Sequence, residues 1–77
     1  MERIYTTIEN QVRADGSMGL LYDHFTDYDE ALAKLYTILA AAATSGLPYH
    51  AGFILRDDGI LTDGRAFDRR TEETPAE

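Results

Sequence analysis

From residue 3 to residue 14 the chain alternates. Ile4, Thr6, Ile8, Asn10 and Val12 point one way, while Arg3, Tyr5, Thr7, Glu9, Gln11 and Arg13 point the other. A period of two sustained over this length predicts a half-buried strand. Ala14-Asp15-Gly16 interrupts it before a second extended run, and the length of that loop selects the register. A two-residue Asp15-Gly16 loop would set Ile8 opposite Asp23 and Val12 opposite Gly19, which wastes the apolar face. A three-residue loop, a type I turn closed by Gly16 in the left-handed region, instead pairs Val12 with Met18, Asn10 with Leu20 and Ile8 with Tyr22. With the apolar positions Ile4, Ile8 and Val12 assigned to the helix side, Tyr5, Leu21 and Phe25 gather on the side away from it.

A helical period follows. Tyr28, Leu32, Leu35, Leu39 and Ala42 fall three and four apart, with Ala31 and Ile38 widening the stripe, so one helix face is committed to covering a sheet. Thr26 and Asp27 are both good N-caps, and Glu30 stands in capping-box position behind Asp27. Asp29 adds a carboxylate where the helix dipole favours one. The helix is predicted to start near residue 27 and to end at Thr44 or Ser45, because Gly46 suits the position after the cap and Pro48 prevents continuation. Glu30 and Lys34 are spaced as an outer i, i+4 pair. Ala33, Ala40, Ala41 and Ala43 on the back of the helix need no reason beyond propensity.

Tyr49 to Arg56 is predicted as a third strand. It is apolar on both faces, as central strands usually are. Asp57-Asp58-Gly59 repeats the logic of the first turn, pairing Leu55 with Leu61 and Ile54 with Thr62. The last strand, Ile60 to Asp68, contains Asp63-Gly64 and should be bulged and lie at an edge. The helix returns the chain along the sheet, so strand three against strand one gives a wholly antiparallel sheet in the order 2-1-3-4. The order 1-2-3-4, with one parallel pair, is the less favoured alternative. The expected fold is therefore α+β, a ββαββ domain over residues 1–68 with one helix on one face of a four-stranded antiparallel sheet. Residues 69–77 are expected to form a disordered acidic tail. The uncovered face would present Tyr5, Leu21, Phe25 and Ile54, the candidate residues for self-association into a homodimer.

Composition narrows the function. The chain has 77 residues, enough for one domain of marginal stability, and no cysteine to add disulfides, thiolate metal sites or redox chemistry. The opening residues lack a basic segment followed by an apolar run, and no apolar stretch approaches bilayer-spanning length, so a cytoplasmic protein with no membrane partner is expected. The net charge is −7, but three of the 14 acids fall within residues 71–77, leaving 11 against 7 bases in the rest. Such an excess argues against a direct grip on nucleic acid.

Catalytic chemistry is not apparent. His24 and His50 fall on opposite sheet faces in this register, which discourages a shared metal or relay, and a lone His24 beside Asp23 and Asp27 is more often a surface group than an acid–base catalyst. No phosphate loop or calcium loop is present, and neither a cofactor nor a metal is expected. What stands out is an acidic surface at the helix entrance, made by Asp23, Asp27, Asp29 and Glu30 with Tyr22 and Tyr28 beside it.

The run from Glu30 to Ala43, with Leu47-Pro48-Tyr49-His50 and Ile54-Leu55-Arg56-Asp57-Asp58-Gly59, resembles short proteins carried by phages and mobile elements, among them inhibitors of the anti-CRISPR type. That resemblance implies a non-enzymatic inhibitor in a host bacterial cell. Its partner would be a CRISPR-Cas effector subunit or another nucleic-acid-binding host protein, whose basic surface the six residues of the acidic entrance would meet. The alternative is a small structural or accessory protein that dimerises through its open sheet face.

Overall fold

The computed structural model describes residues 2–70. Its elements are β1 (Tyr5–Val12), β2 (Met18–Phe25), α1 (Tyr28–Thr44), β3 (Tyr49–Arg56) and β4 (Leu61–Asp68). The strands form one antiparallel sheet in the order β2-β1-β3-β4, with the helix on one face. This is the ββαββ architecture that the patterning predicts. The central pair, β1 and β3, is joined from Tyr5 opposite Arg56 to Val12 opposite Tyr49.

Both turns have the expected length. Gly16 N–H donates to Arg13 O at 2.9 Å and Gly59 N–H to Arg56 O at 2.8 Å, each glycine at a φ near +90° that other residues rarely adopt. Val12 therefore lies opposite Met18, Asn10 opposite Leu20 and Ile8 opposite Tyr22. Leu55 meets Leu61 as expected, but Ile54 pairs with Asp63 and not with Thr62, because the register shifts between Ile54 and Leu55. The bulge has a purpose visible in the packing, since it turns Asp63 toward the helix, where the Tyr28 hydroxyl donates to it.

The sheet faces are reversed from the expectation. Tyr5, Phe25 and Ile54 do not face away from the helix: Ile54 is fully buried with Ala31 and Leu35, and Tyr5 and Phe25 pack against that cluster. Leu21 shares their side, at the edge strand, and remains 61% exposed. The reason is how closely the helix approaches. A Cβ at Gly52 would lie 2.6 Å from Ile38 Cγ2 and 3.1 Å from Leu35 Cδ1, so the helix seats on a strip of small or compact residues, Gly52 and the buried Thr7 among them.

Both helix ends are closed from outside the element. Asp27 is the N-cap, its Oδ1 accepting from Asp29 N–H at 3.0 Å. The last turn carries no basic residue, and Arg69 supplies one from beyond β4. Its guanidinium donates to Ala42 O at 3.1 Å, Ala43 O at 3.3 Å and Leu47 O at 3.0 Å, where the helix dipole favours positive charge. Arg69 and Arg70, assigned from sequence to the tail, are thus tied to the domain, Arg70 through Asp68 at 3.0 Å. The remainder of that tail, 71–77, lies outside the described residues.

Candidate interaction surfaces

Three features carry chemistry that function could use: the acidic helix entrance, the open face of the sheet, and a buried polar knot beneath the helix C-terminus.

At the entrance the residues singled out from sequence are brought only partly together. Asp23, on the helix side of β2, lies 3.4 Å from Lys34 Nζ, so this lysine turns toward the sheet. Asp27 is occupied in capping, and Tyr28 stacks edge-on against Tyr5 with centroids 5.3 Å apart while donating to Asp63. The bond to Asp63 raises the Tyr28 pKa above its ordinary value. Asp29 and Glu30 are exposed in the first helical turn. Tyr22 is exposed on the opposite sheet face, on β2 directly opposite Ile8 of β1, and does not join the cluster.

The open face follows from the register. Thr6, Ile8, Asn10 and Val12 of β1 share it with Met18, Leu20, Tyr22 and His24 of β2 and with Tyr49, Ala51, Phe53 and Leu55 of β3, and β4 adds Leu61, Gly64 and Ala66. Met18, Leu20, Tyr22 and Leu61 are each between 41% and 61% exposed. Phe53 leans on Gly64, where a Cβ would come within 2.3 Å of the ring. Ionisable groups are sparse here. His24, held by Thr6 Oγ1 at 2.9 Å, sits at one corner, and at the diagonally opposite one stand Asp68 and Arg70, whose guanidinium lies 3.0 Å from Asp68 and 4.9 Å from the centre of the Tyr49 ring. Most charged strand residues, Glu9, Asp23, Arg56, Asp63 and Arg65, project on the helix side, around the helix. The centre of the open face holds one polar group out of place: Asn10 Oδ1 is buried with no hydrogen-bond partner.

The polar knot escaped sequence reasoning. His50 is 3% exposed, with Nε2 2.7 Å from Glu9 Oε2 and Nδ1 2.9 Å from Ser45 Oγ, while Gln11 Nε2 donates to the same Glu9 oxygen at 2.9 Å. Burial pushes the Glu9 carboxyl up, but the bonds from His50 and Gln11 outweigh it and hold the pKa below its ordinary value. The signal was present in the register, since a 2-1-3-4 order with β1 beside β3 places Gln11 opposite His50 and Glu9 two residues away on the same face. The sequence serine–histidine–carboxylate matches the order of an acyl-transfer relay. Its surroundings do not suit that chemistry. Ser45 Oγ accepts from Leu47 N–H at 3.3 Å and lies 3.4 Å from Ala42 O, at a helix C-terminus whose dipole disfavours a developing oxyanion. The described residues enclose no pocket beside it.

Among the described residues no cluster of His, Cys, Asp and Glu is placed to hold a metal, and no helix is long and apolar enough to cross a membrane. The chain matches no protein-family model, no curated protein and no solved structure.

Proposed function

We propose that the chain is a small self-associating accessory protein that works through the open face of its sheet. The observation that carries this is the segregation of side chains: charges ring the helix, while the uncovered face presents Ile8, Val12, Met18, Leu20, Phe53, Leu55 and Leu61. A sheet that is apolar on both faces needs a layer on each, and an apolar patch of this extent marks an interaction surface. Residues 71–77, Thr-Glu-Glu-Thr-Pro-Ala-Glu, bring no large apolar side chain with which to cover it.

The test is light scattering on Leu20→Lys and Leu55→Lys. Leu20 lies on an edge strand and Leu55 on a central one, so loss of association in both identifies the face and not merely an edge. Each variant should run as a folded monomer, with Tyr36→Lys on the outer helix surface still associated. Unchanged association in both face variants would contradict the proposal.

A second reading has its own support in the exposed pair Asp29 and Glu30 beside the cap at Asp27. In it the protein is an inhibitor of the anti-CRISPR type that meets a basic host surface through its acidic end. The double reversal Asp29→Lys, Glu30→Lys should then abolish inhibition in a plasmid-interference assay. Full inhibition by that variant would rule this reading out.

A further inference from the structure

The two edges of the sheet are not alike. On β4 the register shift at Ile54 and Leu55, Gly64 and the charged side chains of Asp63, Arg65 and Asp68 interrupt the outer row, devices that keep an edge from pairing. β2 has none of these interruptions: its eight residues run opposite β1 without a shift, and Met18 to Phe25 includes no proline, lysine or arginine. Its unpaired backbone groups can be assigned. Arg13 N–H donates to Ser17 O at 2.8 Å, so that pair is a hydrogen-bonded one, and the alternation of an antiparallel ladder turns Gly19, Leu21, Asp23 and Phe25 toward β1. The N–H and C=O groups of Met18, Leu20, Tyr22 and His24 therefore point outward from the edge.

Side chains on the helix side of this edge define what would pair with it. Leu21 is 61% exposed although it shares that side with the core. Beside it the Arg13 guanidinium lies over Gly19, where a Cβ would fall 2.6 Å from Nη2, and it donates to the Ser17 hydroxyl at 3.3 Å. Asp23, by contrast, already holds Lys34 at 3.4 Å. We infer that β2 takes an added antiparallel strand from a partner protein, an extended segment with an apolar residue opposite Leu21 and, two residues later, an acidic one opposite Gly19. Gly19 and the acidic residue then form a close pair, with Cα atoms about 4.5 Å apart, and the missing glycine side chain lets the carboxylate reach Arg13. The segment's alternate residues bond through their backbones to Tyr22 and Leu20, so the ladder supplies affinity while Leu21 and Arg13 supply selectivity. The inference is independent of the open-face reading, because covering that face leaves the edge free. A second copy of β2 is the competing occupant. Paired about Leu21 it would set Asp23 opposite Gly19, but it would also bring each Asp27 toward the other copy's Asp15, in a chain whose net charge is −7.

The probe is the fluorescein-labelled, end-blocked peptide Ser-Thr-Val-Leu-Val-Glu-Thr, titrated by fluorescence anisotropy against the full-length protein. Its leucine falls opposite Leu21 and its glutamate opposite Gly19. N-methylation of either valine removes an amide hydrogen that the edge accepts and should weaken binding about tenfold or more. N-methylation of the leucine or the glutamate, whose amides face away from β2, should leave binding unchanged. Arg13→Glu should lower the affinity about fivefold, and a probe with lysine in place of glutamate should recover it. Leu55→Lys, the variant that separates the open faces, should bind the probe as the unaltered chain does, so failure of the open-face proposal leaves this one standing. No binding at millimolar protein, or binding indifferent to which amides are methylated and to the sign of charge at position 13, overturns the inference. So does spontaneous disulfide linkage of Leu21→Cys chains with Thr37→Cys chains unlinked, which would give the edge to a second copy; the chain has no cysteine of its own to confuse that result.

Discussion

Glu9 and His50 show how a single contact ties three elements together. Glu9 belongs to β1, His50 to β3, and Ser45, which closes the chain of bonds, caps α1. Because the Glu9 carboxyl titrates below its ordinary value when folded, its contribution to stability is fully present above about pH 4.5 and is lost as pH falls through the lower folded value. Urea unfolding of wild type and Glu9→Gln should therefore differ by about 1–2 kcal/mol at pH 7, and the gap should close as the pH falls toward 3. A gap of equal size at every pH would show that the carboxylate charge is not what holds the knot. These residues were hard to recognise from sequence, because Glu9 and Gln11 sit at polar positions of an alternating strand and look solvated until the helix is laid over them. The turn residues were easier: Gly16 and Gly59 adopt the left-handed conformation that a three-residue loop demands. Asp58, held by Arg56 and Ile60 N–H, titrates at about 2, a local tie and not a functional group.

At the level of elements, the helix, the four strands, their order and the first hairpin's register all follow from periodicity and loop length. The assignment of sheet faces does not. Alternation separates two sides without saying which the helix will choose, and the natural assumption that it takes the more apolar side fails here. The helix seats over Gly52 and Thr7, and its interdigitating residues, Leu35, Ile38 and Leu39, supply the bulk that the strip beneath lacks. Gly52→Ala tests that account. The added methyl would overlap Ile38 and press on Leu35, so the substitution should destabilise the fold by about 1–3 kcal/mol in urea, despite alanine's lower backbone entropy cost. A neutral or stabilising Gly52→Ala would mean that the helix is free to lift from β3. The glycine at position 52 was the overlooked clue, since an unbranched gap in an otherwise apolar central strand marks close approach of another backbone or side chain.

Over the whole molecule, reversal of the faces changes which surface asks for a partner. Tyr5, Phe25 and Ile54, expected outside, hold the core, whereas the residues expected beneath the helix, Ile8 and Val12 with Met18, Leu20 and Tyr22 opposite, lie on the uncovered side. The expectation of an uncovered apolar face therefore stands with a different set of residues. A chain of this size buries only about 60% of its unfolded surface, and a second layer on that face would add the burial that a single copy lacks. The most direct measurement is light scattering of the full-length protein from micromolar to millimolar concentration. The 8.6 kDa chain should give twice its mass and dissociate only on dilution; a mass of one chain across the whole range would contradict the account.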